Sequence, residues 1–284
     1  MNRTIRLGIS TCPNDTFAFH ALMHRKVDWQ GLDFQIELLD IQQLNERAFR
    51  GDLDIMKVSF HAALLLAERV LVLPSGSALG FGVGPLLLSA YPNDRPTNLS
   101  QRTLCPGRHT TATLLFKLFY PETTLLEQVV FSEIMPRLKS RAAEFGVCIH
   151  EGRFTWQKEG LFLVEDLGTR WEAETHCPLP LGGIVGSREL GVDVLRTVQS
   201  VVQASVNYGI AHREETLPTM RYHAQEFDDA VLMQHVDLYV NDWTIELGEV
   251  GLMALQELSR RSKQIGLIPT GSMALEILKD CSTN

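Results

Sequence analysis

Gly146 to Phe154 reads Gly-Val-Cys-Ile-His-Glu-Gly-Arg-Phe, a short apolar run that ends on His150 and Glu151. The run has the composition of a buried strand. A histidine at the carboxyl end of such a strand stands where α/β sheets present side chains to a cleft. Its ring titrates near neutrality, so it can take a proton from a substrate at cellular pH. A strand-end histidine can equally be a cap with a satisfied hydrogen bond, and the segment alone leaves both readings open. Glu151 is its neighbour, but adjacent strand residues point to opposite faces, so Glu151 is not expected to orient it. Arg153 shares the face only if the strand runs on through Gly152.

Two strand–turn–helix stretches offer donors for an anion or a carbonyl oxygen. Ile5 to Ser10 reads as a strand and runs into Thr11-Cys12-Pro13-Asn14-Asp15-Thr16-Phe17, with Asp15 expected to cap a helix that starts at Thr16. Ser10, Asn14, Asp15 and Thr16 are therefore candidates. The second stretch is the better one. Thr103 to Cys105 is followed by Pro106-Gly107-Arg108-His109-Thr110-Thr111-Ala112 and a helix to about Tyr120. Gly107 frees the backbone, Thr110 and Thr111 supply hydroxyls, and the helix start supplies N–H groups.

Other groups carry weaker signals. Lys57 lies in an apolar strand, Leu53 to Val58, where it either snorkels or reaches for a ligand. Gly76, Gly80, Gly82 and Gly84 lack the dinucleotide spacing and read as a loop that bends sharply or approaches a ligand. His20 and His24 are four apart on a helix without a third ligand at motif spacing, so a solvated face is expected rather than a metal site. The five cysteines (Cys12, Cys105, Cys148, Cys177 and Cys281) form no Cys-x-x-Cys pair. They fit a reduced compartment and argue against a cysteine zinc site. Cys12 reads as a small packing residue.

These groups need a frame. Asp33 to Leu39 alternates as a half-buried strand, and Asp40 caps a helix that ends at Gly51. Ser59 is expected to cap a helix through Glu68. Leu86 to Ser89 is a strand, and Tyr91 to Ser100, with two prolines, reads as a hinge or crossover. Val129 to Phe131, a helix around Met135 to Ala143, the His150 strand, Leu161 to Asp166 and a helix at Trp171 to Thr175 complete a second α/β run. Cys177 to Gly183 reads as a break and Ile184 to Ser187 as a return crossing. Helices then follow over Val194 to Ala211, Glu214 to Gln225, Asp228 to Tyr239 and Glu246 to Ile265. This predicts a larger lobe from 1–90 and 187–284, a smaller lobe from 91–186, and a ligand cleft between them.

Composition bounds the partners. The chain has 284 residues, 45% of them hydrophobic, enough for two cores. A formal charge of −8 argues against nucleic acid, while leaving an anionic small molecule possible through local donors. No run reaches the roughly 18 apolar residues of a membrane span, and the N-terminus enters a strand at once without an apolar signal region. The expectation is a cytoplasmic protein with a small-molecule ligand; a homodimer is among the assemblies it admits.

The chain resembles the 1,4-dihydroxy-6-naphthoate synthases of the futalosine route to menaquinone. The matching segments are Cys12 to Phe17, Gly80-x-Gly82-Val83-Gly84-Pro85-Leu86, Pro106 to Thr111, Ile149-His150-Glu151-x-Arg153-Phe154-Thr155, Pro178 to Gly182 and Tyr239-Val240-Asn241. The family usually has Ser-Pro-Cys-Pro at the first turn, where this chain has Ser10-Thr11-Cys12-Pro13; the Asn-Asp-Thr that follows is intact. The resemblance implies a two-lobed fold like type II periplasmic binding proteins. It implies a lyase that converts cyclic dehypoxanthinyl futalosine, a carboxylate, to 1,4-dihydroxy-6-naphthoate and dihydroxyacetone. It carries over a general base at His150 and substrate contacts at Met56, Lys57, Val58, Thr111 and Ala112. Removing one proton lets a carbon–carbon bond break and a ring become aromatic, a driving force that asks for no metal, flavin or nicotinamide. The rivals are a binding protein of the same fold and the sister enzyme chorismate dehydratase. The Pro-Asn-Asp-Thr-Phe and His-Glu-x-Arg-Phe segments favour the synthase.

Overall fold

The computed structural model describes residues 3–150, 152–224 and 228–279. The chain first lays down five strands: β1 (Arg3–Ser10), β2 (Leu32–Leu39), β3 (Ile55–Ser59), β4 (Val70–Val72) and β5 (Ala78–Gly80). Five more follow as β6 (Leu86–Ser89), β7 (Arg102–Cys105), β8 (Leu125–Gln128), β9 (Phe145–Cys148) and β10 (Phe162–Asp166), and β11 (Leu179–Ser187) comes last. The first five and β11 form one sheet, ordered β2-β1-β3-β11-β4 with β5 also on β11. β6 to β10 form the other, ordered β10-β6-β9-β7-β8.

Parallel pairs dominate one side of each sheet and antiparallel pairs the other. β1 runs parallel to β2 and β3, and β7 parallel to β8 and β9. β11 is antiparallel to β3, β4 and β5, and β6 to β9 and β10. The antiparallel strands are therefore those that follow a crossing between sheets, β6 on the way out and β11 on the way back.

The helices are α1 (Pro13–Ala18), α2 (His20–Met23), α3 (Ile41–Arg50), α4 (Phe60–Leu65), α5 (Thr111–Phe119), α6 (Phe131–Lys139), α7 (Gly152–Thr155) and α8 (Leu167–Thr175). The C-terminal set is α9 (Val192–Ala211), α10 (Arg213–His223), α11 (Asp229–Tyr239), α12 (Asp242–Ile245) and α13 (Gly248–Gln264). α9 buries Leu195, Val198, Val202 and Val206 completely against the first sheet. Each such side chain contributes roughly 1.5–3 kcal/mol. Ser205 on the same helix donates to Ala18 O at 2.7 Å and accepts from Leu22 N at 3.0 Å, which holds the join between α1 and α2.

Several expectations change. Leu86–Ser89 belongs to the second sheet and Leu179–Gly186 to the first, so the sheets exchange chain at Phe81–Pro85 and near Pro178, not at residues 91 and 187. Tyr91 to Ser100 accordingly lies beyond β6 rather than at a crossover. Leu179 to Gly183 is strand despite Pro180, because β11 there pairs with the short β5 across an irregular register. Gly84 and Gly168 explain one glycine requirement. A Cβ on Gly84 would stand 2.2 Å from Gly168 Cα, so the outgoing chain touches the start of α8 backbone to backbone. α1 starts at Pro13, not Thr16, with Cys12 as its N-cap. Proline suits the first helical position because its missing N–H would be unpaired there. α4 stops at Leu65, short of Glu68. β8 ends at Gln128, and α6 runs from Phe131 rather than Met135. His20 is buried under α10, its Nδ1 2.8 Å from Thr219 Oγ1, while His24 reaches the same hydroxyl from the surface. No helix among the described residues is long and apolar enough to cross a membrane.

Candidate active site

His150 lies two residues beyond β9, in a turn and not on the strand itself. Its φ of 56° puts it in the left-handed region, where a histidine is tolerated better than a bulky or branched residue. The strand does not continue. α7 follows, and Arg153 turns away to pair with Asp166 at 2.7 Å and donate to Gly84 O at 2.5 Å. Arg153 thereby fixes the His150 turn to the crossing strand and to the cap of α8, since Asp166 also accepts from Gly168 N and Thr169 N. Glu151 lies outside the described residues.

The His150 ring reaches across to the other lobe. Cys12 Sγ is 3.2 Å from Nδ1 and 3.5 Å from Nε2, and Phe131 packs edge-on against the imidazole. Cys12 is thus no bystander in a polar turn. Burial pushes the Cys105 and Cys148 thiols up to about 12, which leaves them inert. Cys12 lines the cavity.

That cavity has a volume of about 100 Å³ and takes its walls from strands of the first sheet and from turns that flank the second. From the first turn it draws Ser10, Asn14 and Asp15, and from β3 Lys57. From the second turn it draws Thr110, Thr111 and Ala112, and from beyond β9 His150. Eight of the eleven sequence candidates therefore meet in one place. The other three do not line it. Thr16 is buried and donates to its own turn, to Cys12 O or Pro13 O at 3.2 Å. Met56 and Val58 lie in the apolar core, as strand alternation requires when Lys57 faces the cavity.

Lys57 neither snorkels nor stands free. It is 4% exposed, and its Nζ donates to Asp15 Oδ1 at 2.7 Å and Gly76 O at 2.8 Å. Asp15 and Lys57 are the charged side chains among the described lining residues, and each neutralises the other. An anion here would meet donors rather than net charge. The hydroxyls of Thr110 and Thr111, expected to meet an anion, are spent within the protein, which leaves the N–H groups of the α5 start. Thr110 caps α5, accepting from Thr113 N and donating to Gly107 O at 2.9 Å. Thr111 Oγ1 donates to Leu181 O at 2.7 Å, which pins the helix start to β11. Gly107 holds a φ of 109°, open to glycine alone.

His235, from α11, also lines the cavity, and nothing near it in the sequence signals this. It is 1% exposed, and its Nε2 sits 3.1 Å from Asn14 Oδ1. Burial, with His150 adding to it, holds its pKa well below the usual histidine range, so it is neutral. Tyr239, one helical turn on, closes the same wall. Among the described residues no cluster of three or more His, Cys, Asp or Glu is placed to hold a metal ion.

Residues 5–264 match a family profile described as menaquinone biosynthesis. A protein of Thermus thermophilus named 1,4-dihydroxy-6-naphtoate synthase is 41% identical over 263 residues, 93% of this chain and 95% of its own. One of the same name from Streptomyces coelicolor is 40% identical, covering 94% and 95%. Among solved structures, an Archaeoglobus fulgidus protein superposes with a TM-score of 0.88 at 30% identity, covering 93% of this chain and 98% of its own. The periplasmic aliphatic sulphonate binding protein of Escherichia coli gives 0.64 at 10% identity over 100% and 96%, a likeness of fold alone. The fold is thus that of the two-lobed periplasmic binding proteins, and the chain belongs to the menaquinone biosynthesis family.

Proposed function

We propose that the protein is a carbon–carbon lyase that converts cyclic dehypoxanthinyl futalosine to 1,4-dihydroxy-6-naphthoate and dihydroxyacetone, with His150 as the general base. The observation that carries this reading is the position of His150. It is a half-buried imidazole that meets Cys12 of the other lobe at one end of a two-sided cavity. Abstraction of a substrate proton by Nε2 or Nδ1 lets the adjacent carbon–carbon bond break as the ring becomes aromatic. A well-placed general base contributes about 10²–10⁴-fold. The substrate carboxylate is assigned to the start of α5, where Thr111 and Ala112 present N–H groups along a helix dipole. The spare proton of Lys57 is a further donor. A ligand pocket usually measures about 300–1,000 Å³. A cavity of about 100 Å³ is smaller, so the lobes part to admit substrate and close to exclude water.

The test is a product assay with the purified protein and cyclic dehypoxanthinyl futalosine, with and without His150→Ala. The expected result is release of the naphthoate, with kcat at least about a hundredfold lower in the variant. Binding of the compound unchanged would instead favour a binding protein. Water loss from chorismate would favour the sister dehydratase. An undiminished rate in His150→Ala would leave the reaction and overturn the base.

A further inference from the structure

Asn14 fixes the hydrogens around His235. Its Nδ2 donates to Asp15 Oδ1 at 3.0 Å, because a carboxylate only accepts, so its Oδ1 is the atom that faces His235 Nε2 at 3.1 Å. Nε2 must then carry the ring proton. His235 is neutral, so its Nδ1 is a bare lone pair. That nitrogen is buried and has no hydrogen-bond partner among the described residues. His235 lines the cavity, and an acceptor left buried and unpaired is costly unless a ligand donates to it. Because burial and the neighbouring His150 both oppose a second proton, Nδ1 stays an acceptor.

We infer that His235 is a further substrate-binding residue, whose Nδ1 accepts a hydrogen bond from a hydroxyl on the sugar-derived part of the substrate. The inference rests on the proposed reaction, since the fragment released there carries sugar-derived hydroxyls. The chain Lys57–Asp15–Asn14–His235 sets the acceptor. The buried ion pair orients the amide, the amide orients the imidazole, and the imidazole presents its lone pair. A ligand with a carbonyl at that point would face lone pair against lone pair, so His235 also selects for a donor.

Two isosteric replacements separate the ring nitrogens. His235→Gln places an amide near Nε2, keeps the link to Asn14 and removes the acceptor at Nδ1. His235→Asn places an amide near Nδ1 and restores it. With cyclic dehypoxanthinyl futalosine, His235→Gln is expected to raise KM about tenfold to a hundredfold with kcat within about threefold, and His235→Asn to recover most of that loss. Ring-nitrogen NMR needs no variant at 235. In ¹⁵N-histidine-labelled His150→Ala protein, the unprotonated His235 nitrogen is expected to move to lower frequency when the same compound saturates the site. An unchanged KM in a folded His235→Gln, or no shift at the His235 nitrogen on saturation, overturns the inference and leaves the reaction standing. Failure of the wild type to turn the compound over overturns the reaction and this inference with it.

Discussion

The two helix starts that face each other across the cavity are built on opposite plans. At the second, the cap is local, although Thr111 also ties to Leu181 and His61 to Thr110. Thr110 caps α5, Gly107 supplies the left-handed turn three residues earlier, and Thr113 closes the loop. At the first, the cap residue Cys12 makes no side-chain cap bond, and its neighbours look far away for partners. Asp15 pairs with Lys57, 42 residues on, and Asn14 meets His235, 221 residues on. Each start is also backed by a neutral buried histidine, His235 for the first and His61 for the second. The difference teaches that a helix terminus can be made rigid by its own turn or by the tertiary structure.

The sharpest way to break the comparison is to remove the long-range support. Lys57→Met leaves Asp15 with an uncompensated buried charge and Gly76 O without its donor. Such a loss costs about 3–5 kcal/mol. Replacing both partners, as Lys57→Met with Asp15→Asn, is expected to recover more than half of it, because no lone charge stays buried. Urea denaturation of the two variants beside wild type measures both quantities. Equal stability of Lys57→Met and wild type would mean that the first turn is held locally after all.

Acid probes the histidine behind the second start. His61 is 3% exposed, and burial lowers its pKa from 6.5 to about 4 while its Nδ1 donates to Thr110 O at 3.3 Å. The unfolded chain binds the proton near pH 6.5 and the folded chain only near 4. Stability is therefore complete above the unfolded value and falls as pH drops from there toward 4. Between pH 7 and pH 5 this one group removes about 2 kcal/mol. His61→Asn keeps a donor near Nδ1 and does not titrate, so its stability is expected to fall by about 2 kcal/mol less over the same interval. Parallel curves for variant and wild type would show that His61 charges without cost.

The same contrast explains what was legible in the sequence. Asp40 with Gly51 and the alternation in Asp33 to Leu39 are local signals, and each appears in the fold where the residues predict it. The His150 segment and the second turn both reach the cavity, and their residue types need only a strand end or helix start to be read. Asp15 misled, because an aspartate after a polar turn looks like a cap while Pro13 had already begun the helix. Lys57 was ambiguous because its partner lies on another strand's turn. His20 looked solvated because its covering helix, α10, comes some two hundred residues later. His235 had no local signal at all: within α11 its spacing is that of an ordinary core position, and only the tertiary fold brings it beside Asn14. The boundary between lobes slipped for a related reason. β6 has four residues and β11 nine, and the sheet each joins is chosen by pairing, which no single strand's composition encodes.

The smallest expected effect tests the local plan itself. Thr110→Ala removes the Oγ1 that accepts from Thr113 N, and Gly107 O loses one of its two hydroxyl donors. Thr113 still donates to that carbonyl at 2.7 Å, so the turn keeps a tie. Loss of a threonine cap costs about 1 kcal/mol. Thr110→Ser keeps the oxygen and is expected to cost less than half as much. Because the cap also orients the N–H groups assigned to the substrate carboxylate, the alanine variant is expected to raise KM severalfold while kcat changes little. A stability loss of about 3 kcal/mol or more would place Thr110 in a long-range network like that of Asp15. The two helix starts would then differ in their partners' distance along the chain, and not in how they are held.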